Sequence, residues 1–390
     1  MAVVAEVLPG GELKLAGLGV APSYGLKRGA VVNIDATVQS IQQALKEAEL
    51  MADCKITRVY TGITGSHIRG MNSSGMVAIK DKEVTAADVA RVVDTARAIN
   101  ISTDQRLLLV EPQEFMIDNE DVREPIGMSG IRLEAKVHIV TGAQSAAENI
   151  IKCVRRCGLE VEQLLLNPLA SSLSVLTADE RELGVALVDI GAGTTDVAIF
   201  TGGAIRHTAV IPIAGDLITS DIAMALRTPT KDAEDIKVES GYAKQLLADP
   251  QDQVETPGLG DRGPRTISRQ ALAGVIEPRV DEIYQLVQQV IRESGYEEVL
   301  SSGIVITGGT AVMPGMVELG EDIFLKPVRR GIPKYVGALS DMVAQPRSAT
   351  VMGLLEEARL ARVRGQKVAQ KNGSVKTAFG RFKDLIVRNF

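Results

Sequence analysis

A glycine-rich segment at residues 187–200, LVDIGAGTTDVAIF, has the residue types that can hold a phosphate group. Apolar runs flank DIGAGTTD on both sides, so this segment is predicted to be a turn between two strands. Asp189 ends the first strand, where its carboxylate can reach Mg²⁺ through water. Two glycines let backbone N–H groups approach phosphate oxygens, and two threonines add hydroxyl donors: Gly191, Gly193, Thr194 and Thr195. The alternative is a glycine-rich β-turn with a solvated aspartate.

Two further glycine turns favour a nucleotide site over a plain turn. In GIVITGGTAVMPGM a buried-type strand ends at Gly308 and Gly309, just before Thr310, where a base or ribose can lie close against the backbone. In AGDLITSDIA, Gly215 precedes a helix. Three such turns, in the order phosphate, phosphate, adenosine, predict a site for ATP with Mg²⁺.

The strands and helices that must position these turns follow an order that repeats. Asp35 is the predicted capping residue of the first helix, and residues 64–75 form a polar, glycine-containing stretch. The strand-rich pattern restarts at residues 182–215, which indicates two related halves. For the part of the chain before residue 182, the spacing of apolar residues predicts the following elements in order: a hairpin at 3–23, a helix at 35–53, a strand at 55–63, a helix at 85–99, strands at 106–112 and 132–142, a helix at 145–158 and a strand at 159–168.

The second part is predicted to continue through a loop into helices. Residues 249–265 are polar and rich in Pro and Gly, which is typical of a surface loop. Helix 267–294, strand 303–309 and helix 347–363 follow. Beyond them the chain is polar and basic, as in a linker.

Charge is distributed unevenly along the 390 residues. Residues 359–390 contain nine Lys or Arg against one acid, a net charge of +8, so the remainder carries −14 and the whole chain −6. An acidic body with a basic tail predicts contact with an anionic surface, either a membrane or a nucleic acid. Three cysteines are an odd number in a long chain, which favours a reducing compartment over a disulfide framework. The histidines are scattered along the sequence, so the pattern does not favour a metal cluster. No apolar run approaches the roughly 20 residues needed to span a bilayer.

The segment SVKTAFGRFKDLIVRNF at the end of the sequence contains three of the six phenylalanines. On a helical wheel its apolar side chains fall on one face, with basic residues at the margin. This pattern predicts a helix that lies in the interface of an anionic membrane, and the alternative is a helix docked on the protein's own core. The predicted membrane-binding residues are Phe379, Phe382, Lys383, Leu385, Ile386, Arg388 and Phe390.

VDIGAGTTDVAIF resembles the second phosphate loop of the actin, sugar kinase and heat-shock chaperone superfamily, and GIVITGGTAVMPGM resembles its adenosine motif. Within that superfamily the chain resembles the FtsA family, the bacterial division actins. The stretches that carry this resemblance cover nearly the whole chain and include ELMADCKITRVYTGITGSHI, GMSGIRLEAKVHIVTG, NPLASSLSVLTADERELGVALVDIGAGTTD, AIRHTAVIPIAGDLITSDIA and AGVIEPRVDEI.

The resemblance implies an α/β, actin-like ATPase fold with two related, ribonuclease H-like halves and a C-terminal amphipathic helix. ATP and Mg²⁺ are expected between the halves. The implied division is subdomain 1A at 1–63 and 147–177, the 1C insertion at 64–146, 2A at 178–207 and 295–358, 2B at 208–294, a basic linker at 359–373 and the membrane-targeting helix at 374–390.

The resemblance also implies ligand contacts and partners. Glu234 and Lys237 match family positions that reach the ribose and adenine, although a solvated i, i+3 pair is the alternative. Subdomain 2B is expected to bind the acidic C-terminal peptide of FtsZ, and 1C to touch the next subunit or downstream division proteins. The protein is expected at the cytoplasmic face of the inner membrane, at the septum, in filaments and without nucleic acid. The candidate peptide contacts are Arg265, Arg269 and Arg279, for which plain helix-surface charge is the alternative.

Two features depart from the family pattern. Members open with a strand and a D-x-G-T-x-K-V turn, whereas this sequence opens with MAVVAEVLPGGEL, which matches the following strand. We expect about twenty further residues upstream, because loss of that strand leaves an unpaired neighbour within the 1A sheet; a chain that binds ATP poorly is the alternative. In this sequence Asn167 occupies the place where relatives that hydrolyse ATP have a Glu or Gln that orients the attacking water. Its side chain is shorter and cannot act as a general base, so slow hydrolysis is predicted and no residue is assigned a catalytic role.

Other functions of the same fold have weaker support in the sequence. A sugar kinase needs a substrate-binding aspartate base between its halves, and none is evident. A chaperone needs a substrate-binding domain after the ATPase unit, for which the 32 residues from 359 onward are too few. An MreB-like filament protein or a pilus-assembly protein is the nearest alternative.

Overall fold

A computed structural model describes residues 1–258 and 263–371 of the chain, with side chains through Gly365. The first part forms the predicted hairpin, helix and strand. Asn33, not Asp35, caps the helix, because its Oδ1 accepts from the N–H of Ala36 at 3.0 Å; Asp35 lies in the first turn. The elements are β1 (Ala2–Val7), β2 (Leu13–Gly19), β3 (Leu26–Lys27), β4 (Ala30–Val31), α1 (Ile34–Ala52) and β5 (Arg58–Ile63).

An inserted unit follows, with one antiparallel sheet in the strand order β6-β9-β7-β8. Helix α2 packs on this sheet through Val89 and Val92, which are fully buried. The stretch predicted to be polar contains much of β6, because residues 69–78 pair along β9. The elements are β6 (Arg69–Ala78), α2 (Ala86–Arg97), β7 (Gln105–Ile117), β8 (Glu120–Val122) and β9 (Arg132–Ala143).

The chain then returns to the first part. Strand β10 pairs in parallel with β5, and α3 packs against α1. Helix α4 starts directly at the end of β10 with Asn167, followed by Pro168 in its first turn, a position where the missing N–H of proline costs nothing. The elements are α3 (Gln144–Arg156), β10 (Glu160–Leu166), α4 (Asn167–Val175) and α5 (Ala178–Leu183).

The second part contains a five-stranded sheet in the order β13-β12-β11-β16-β17. Single 3₁₀ turns occur at Gln245–Leu247, Glu297–Val299, Thr310–Val312 and Pro346–Ser348. The elements are β11 (Val185–Ile190), β12 (Thr195–Thr201), β13 (Ala204–Ile211), α6 (Gly215–Leu226), α7 (Thr230–Ser240), β14 (Gln253–Thr256), β15 (Arg265–Ser268), α8 (Arg269–Ser294), β16 (Ile304–Thr307), α9 (Met316–Phe324), β17 (Val328–Arg330), α10 (Ser340–Val343) and α11 (Ala349–Lys371).

Strand β11 is buried on both faces, as its apolar run VALVDI requires. On one face Val188 joins a core that includes Ile218 of α6 and Tyr284 of α8. On the other face Leu187 packs in a cluster with Val175 of α4. The strand that leads into the glycine-rich turn is therefore held from both sides.

Two sequence predictions are wrong in detail. The proline- and glycine-rich loop contains strand β14 and ends at the first residue of its partner, β15. The predicted basic linker is helical through Lys371, because α11 begins in the core and continues through Ala, Leu, Arg and Lys, which are strong helix formers. The linker prediction therefore fails for residues 359–371.

The two parts have matching sheets. β1 and β2 are antiparallel, like β12 and β13, and β5 and β10 are parallel, like β16 and β17. In the second part β11 lies between the two pairs and bonds to both. In residues 1–258 and 263–371, no strand pairs with the outer edge of β1 or of β5.

The inserted sheet also contacts β13. His138 of β9 lies 2.9 Å from the hydroxyl of Thr208 through Nε2 and 2.6 Å from Asn72 Oδ1 through Nδ1. Burial lowers the pKa of His138 to about 3, so the ring is neutral and both contacts are hydrogen bonds. Arg206 of β13 forms an ion pair with Glu114 of β7 at 2.6 Å. The insertion is thereby tied to the second sheet.

Candidate nucleotide site

The predicted turn DIGAGTTD forms between β11 and β12. The N–H of Gly191 donates to the carbonyl of Thr194 at 2.9 Å, which closes the turn. Thr195 is fully buried and donates its hydroxyl to the carbonyl of Ile213 at 2.7 Å, so this hydroxyl secures the loop after β13. A Cβ on Gly193 would lie 3.1 Å from the backbone nitrogen of Arg28, so the first part of the chain reaches the turn.

The three glycine turns meet at the carbonyl of Gly191. The N–H of Gly215, at the start of α6, donates to it at 3.1 Å, and the hydroxyl of Thr310 donates at 2.8 Å. A Cβ on Gly215 would lie 2.5 Å from the Thr310 hydroxyl oxygen, so only glycine allows this approach. The structure thus brings together the residues that the sequence assigned to separate parts of one site.

Lys237 joins the same cluster from α7. Its Nζ donates to the carbonyl of Gly215 at 3.2 Å, to the hydroxyl of Thr219 at 2.8 Å and to Glu234 at 2.6 Å. The lysine is 9% exposed, whereas the Glu234 side chain is 47% exposed. The pair is therefore anchored at the start of α6 and is not a solvated surface pair.

Asp189 is buried at the end of β11. Its Oδ2 accepts hydrogen bonds from Ser171 at 2.6 Å and Thr350 at 3.2 Å, and burial raises the pKa of this carboxyl group. Gly308 has φ +88°, and a Cβ there would lie 2.4 Å from Asp189 Oδ1. Gly308 was predicted to face the adenosine, but its immediate neighbour is this carboxyl group. The next glycine, Gly309, is less crowded, because the nearest atom to its Cβ position is Cβ of Arg347 at 4.0 Å.

Asp196, the last residue of the motif, is a second buried carboxyl group beside the first. It is directly opposite Asp189 in the β11–β12 register. Burial, and after it the nearby Asp189, raises the pKa of Asp196 to about 7. Its carboxylate accepts hydrogen bonds from Thr194 and from Thr64, which follows β5. The pattern of glycine turns alone does not identify Asp196, although the sequence TTD after the glycines is a signal for it.

The two carboxyl groups fit a hard divalent cation, which prefers oxygen ligands and would offset their repulsion. Within the described parts of the chain, no three His, Cys, Asp or Glu side chains are placed to hold a metal by themselves. A cation here would keep water or phosphate oxygens as further ligands.

The remaining predicted residues lie in different places. Asn167 is at the start of α4, and its Oδ1 is buried without a hydrogen-bond partner among the described residues. Arg279 forms an ion pair with Asp221 at 2.6 Å, and Arg269 with Asp252 at 2.7 Å. Arg265 donates to the carbonyl of Leu226. The predicted membrane-binding residues lie beyond Lys371, outside the described residues.

Two related α/β halves, with glycine turns that meet in the second half and approach the first, define an actin-like protein. The solved PilM–PilN type IV pilus biogenesis complex has this fold: one of its chains matches with a TM-score of 0.62 and 18% identity, over 90% of this chain and 93% of that chain. The predicted fold class is confirmed.

The family follows from sequence relatives. The model described as cell division protein FtsA matches residues 186–353, and that of the SHS2 domain inserted in FtsA matches 65–141. Cell division protein FtsA of Pseudomonas aeruginosa is 58% identical over 91% of this chain and 85% of its own length. FtsA of Neisseria meningitidis is 50% identical over 97% of this chain and 92% of its own length. FtsA of Escherichia coli K12 is 45% identical over 95% of this chain and 90% of its own length. The chain belongs to the FtsA family, as the resemblance implied.

Helices in residues 1–258 and 263–371 are all too short or too polar to cross a bilayer.

Gly308→Ala is expected to lower the free energy of unfolding by about 1 to 3 kcal/mol, because the new methyl group meets Asp189 at a positive φ. Gly309→Ala is the matched control: this residue has φ −62°, and the nearest atom to its Cβ position is 4.0 Å away. Urea midpoints measure both variants. Equal midpoints would contradict the close packing at Gly308.

Asp196→Asn is expected to remove a pH dependence of stability. The folded-state pKa of about 7 lies above the unfolded value near 4, so the folded state holds this proton more tightly. The stabilisation is full below about pH 4 and is lost as the pH rises to about 7, by up to about 1.4 kcal/mol per pH unit. Urea unfolding from pH 4 to 8 in metal-free buffer measures it, with the exposed Asp235→Asn as control. Parallel pH profiles of wild type and Asp196→Asn would refute it.

Proposed function

We propose that this chain is an ATP-binding, actin-like cell division protein that polymerises, binds the C-terminal peptide of FtsZ and tethers the division ring to the membrane. The observation that carries the nucleotide part is the meeting of three glycine turns at the Gly191 carbonyl, with buried Lys237 beside them. Backbone N–H groups at a glycine turn and at the start of a helix are suited to phosphate oxygens.

Mg²⁺ would be held near Asp189 and Asp196, whose mutual repulsion a cation offsets. It would neutralise charge on the phosphate groups. Thr64 connects this carboxyl pair to the first half, so nucleotide and cation would act on both halves.

Hydrolysis is expected to be slow. The amide oxygen of Asn167 lies close to Gly62, because a Cβ added to that glycine would be 2.1 Å from it. An amide cannot act as a general base, and weak positioning of water limits phosphoryl transfer. ATP would therefore serve as a conformational and polymerisation switch, at the division septum.

Membrane attachment is assigned to the segment that follows α11. Its apolar face and basic margin suit an interfacial helix, and anionic lipid adds about 1 kcal/mol per well-placed cation. One such helix binds reversibly, and many in one filament bind firmly.

FtsZ binding is assigned to the surface near β15 and α8. Arg265, Arg269 and Arg279 all lie here and already have acceptors within the chain. An acidic peptide would replace or share those acceptors, so its binding would weaken with salt. Downstream division proteins and neighbouring subunits are proposed partners of the inserted unit.

Lys237→Ala is expected to weaken ATP binding about tenfold, because it removes the buried cation beside the start of α6. Lys231→Ala, an exposed lysine on the same helix, is the control. Titration calorimetry with ATP and Mg²⁺ measures both. Unchanged affinity for Lys237→Ala, with an unchanged melting temperature, would argue against this site.

Arg279→Ala is expected to weaken binding of a synthetic FtsZ C-terminal peptide about fivefold to tenfold, by loss of charge-assisted contacts. Arg292→Ala, toward the other end of α8, is the control. Fluorescence anisotropy provides the affinity. A peptide that does not bind the wild-type chain would remove the FtsZ assignment altogether.

Phe382→Glu is expected to abolish flotation of the full chain with anionic vesicles, because it places a negative charge on the apolar face. Thr377→Glu adds the same charge on the opposite side of the helical wheel and is expected to retain most of the binding. Vesicles of phosphatidylglycerol and phosphatidylethanolamine are suitable. Equal flotation of Phe382→Glu and wild type would disprove the membrane assignment.

A further inference from the structure

A short hairpin of the first half reaches the glycine-rich turn of the second half. Its strands, β3 and β4, pair through Leu26–Lys27 and Ala30–Val31, so Arg28 and Gly29 form a two-residue turn at its tip. The tip lies against Gly193, because a Cβ on that glycine would be 3.1 Å from the backbone nitrogen of Arg28 and 3.2 Å from its Cα. The absence of a side chain at Gly193 therefore leaves room for the tip.

The hairpin tip also contacts the segment that follows β5. A Cβ on Gly29 would lie 2.9 Å from Cα of Gly65 and 3.0 Å from the carbonyl oxygen of Thr64, so the two segments pack closely. The hydroxyl of Thr64 donates to Asp196 of the carboxyl pair. The tip is thus fixed between two segments of the candidate nucleotide site and does not project away from it.

Arg28 has a backbone conformation that is uncommon for its residue type. Its φ is +49° and that of Gly29 is +79°, so both residues of the turn are in the left-handed region. Tight hairpin turns of this kind favour Asn-Gly or Asp-Gly, because the left-handed conformation is costly for other side chains and the short polar ones offset it with local hydrogen bonds. Strained residues of this kind cluster where ligands are held. The turn itself does not explain an arginine here, which indicates a role for its charge.

The place of the tip indicates which part of a nucleotide it would meet. Glu234 and Lys237, the proposed contacts of the nucleoside, lie on α7 of the second half. From there the phosphate chain would pass the start of α6, where Lys237 bonds to the carbonyl of Gly215, and would reach the glycine-rich turn. Arg28 belongs to the opposite half and lies against that turn. The phosphate group farthest from the nucleoside would therefore be the one nearest to Arg28.

We propose that Arg28 contacts the terminal phosphate of ATP and lets the chain distinguish ATP from ADP. This inference rests on the nucleotide site proposed above. A guanidinium group has several N–H donors in a planar fork that matches two phosphate oxygens. ADP lacks the terminal phosphate, so the contact forms with ATP and not with ADP. The hairpin tip thereby joins the two halves through the nucleotide in the ATP state alone.

The test variant is Arg28→Asn in the full-length chain. Asparagine suits the left-handed turn, so the hairpin is retained while the charge is removed. Isothermal titration calorimetry measures the affinity for ADP and for β,γ-imido-ATP, an analogue that resists hydrolysis of its terminal phosphate, both with Mg²⁺. We expect the affinity for the ATP analogue to fall about tenfold and that for ADP to change by less than about twofold.

Two further variants separate the contact from general effects of charge and folding. Lys27→Ala removes the neighbouring exposed cation of the same hairpin, and its affinities for both nucleotides are expected to stay within about twofold of wild type. Arg28→Lys retains the charge but loses the planar fork, and a loss of about twofold to fivefold for the ATP analogue alone is expected. A urea midpoint of Arg28→Asn at or above the wild-type value shows that the turn is intact.

The outcomes distinguish this contact from the nucleotide site as a whole. If wild type binds both nucleotides and folded Arg28→Asn binds the ATP analogue equally well, or loses as much affinity for ADP, the proposal is overturned while the nucleotide site remains. If wild type binds neither nucleotide, the nucleotide site is wrong, and the contact with Arg28 is wrong with it.

Discussion

The burial of two carboxyl groups side by side, Asp189 and Asp196, is the constraint on which the second half depends. Each must be hydrogen-bonded, because an unpaired buried charge is costly. Ser171, Thr350 and Thr64 supply donors from three different segments. These hydrogen bonds fix the glycine-rich turn between β11 and β12 relative to α4, the start of α11 and the end of β5. The same carboxylates attract a cation, so fold and ligand chemistry share one origin.

Much of the fold and of the site could be predicted from the sequence. Strands such as β11 are uninterrupted apolar runs, and the glycines at residues 191, 215 and 308 each occupy a place where a side chain would collide or crowd. Local chemistry decides such features, so a single sequence contains them. The family resemblance rested on the same segments, and the FtsA relatives confirm it.

The features that sequence did not predict depend on distant contacts. Asp35 has the right type for a cap, but the backbone enters the helix two residues earlier, at Asn33. The basic linker prediction failed because a helix already anchored on the core continues through good helix formers. Thr64 is an ordinary residue until the fold brings it to Asp196, 132 positions away. Pairings of this kind have no local pattern.

The ties between the inserted unit and β13 have a mechanical consequence. A neutral histidine, an ion pair and strand contacts fix the insertion to the second sheet, while its two chain connections enter and leave through the first part. The inserted unit therefore connects the first part of the chain to the second sheet. Any rotation of one half against the other would have to distort the inserted unit or break its polar contacts with β13.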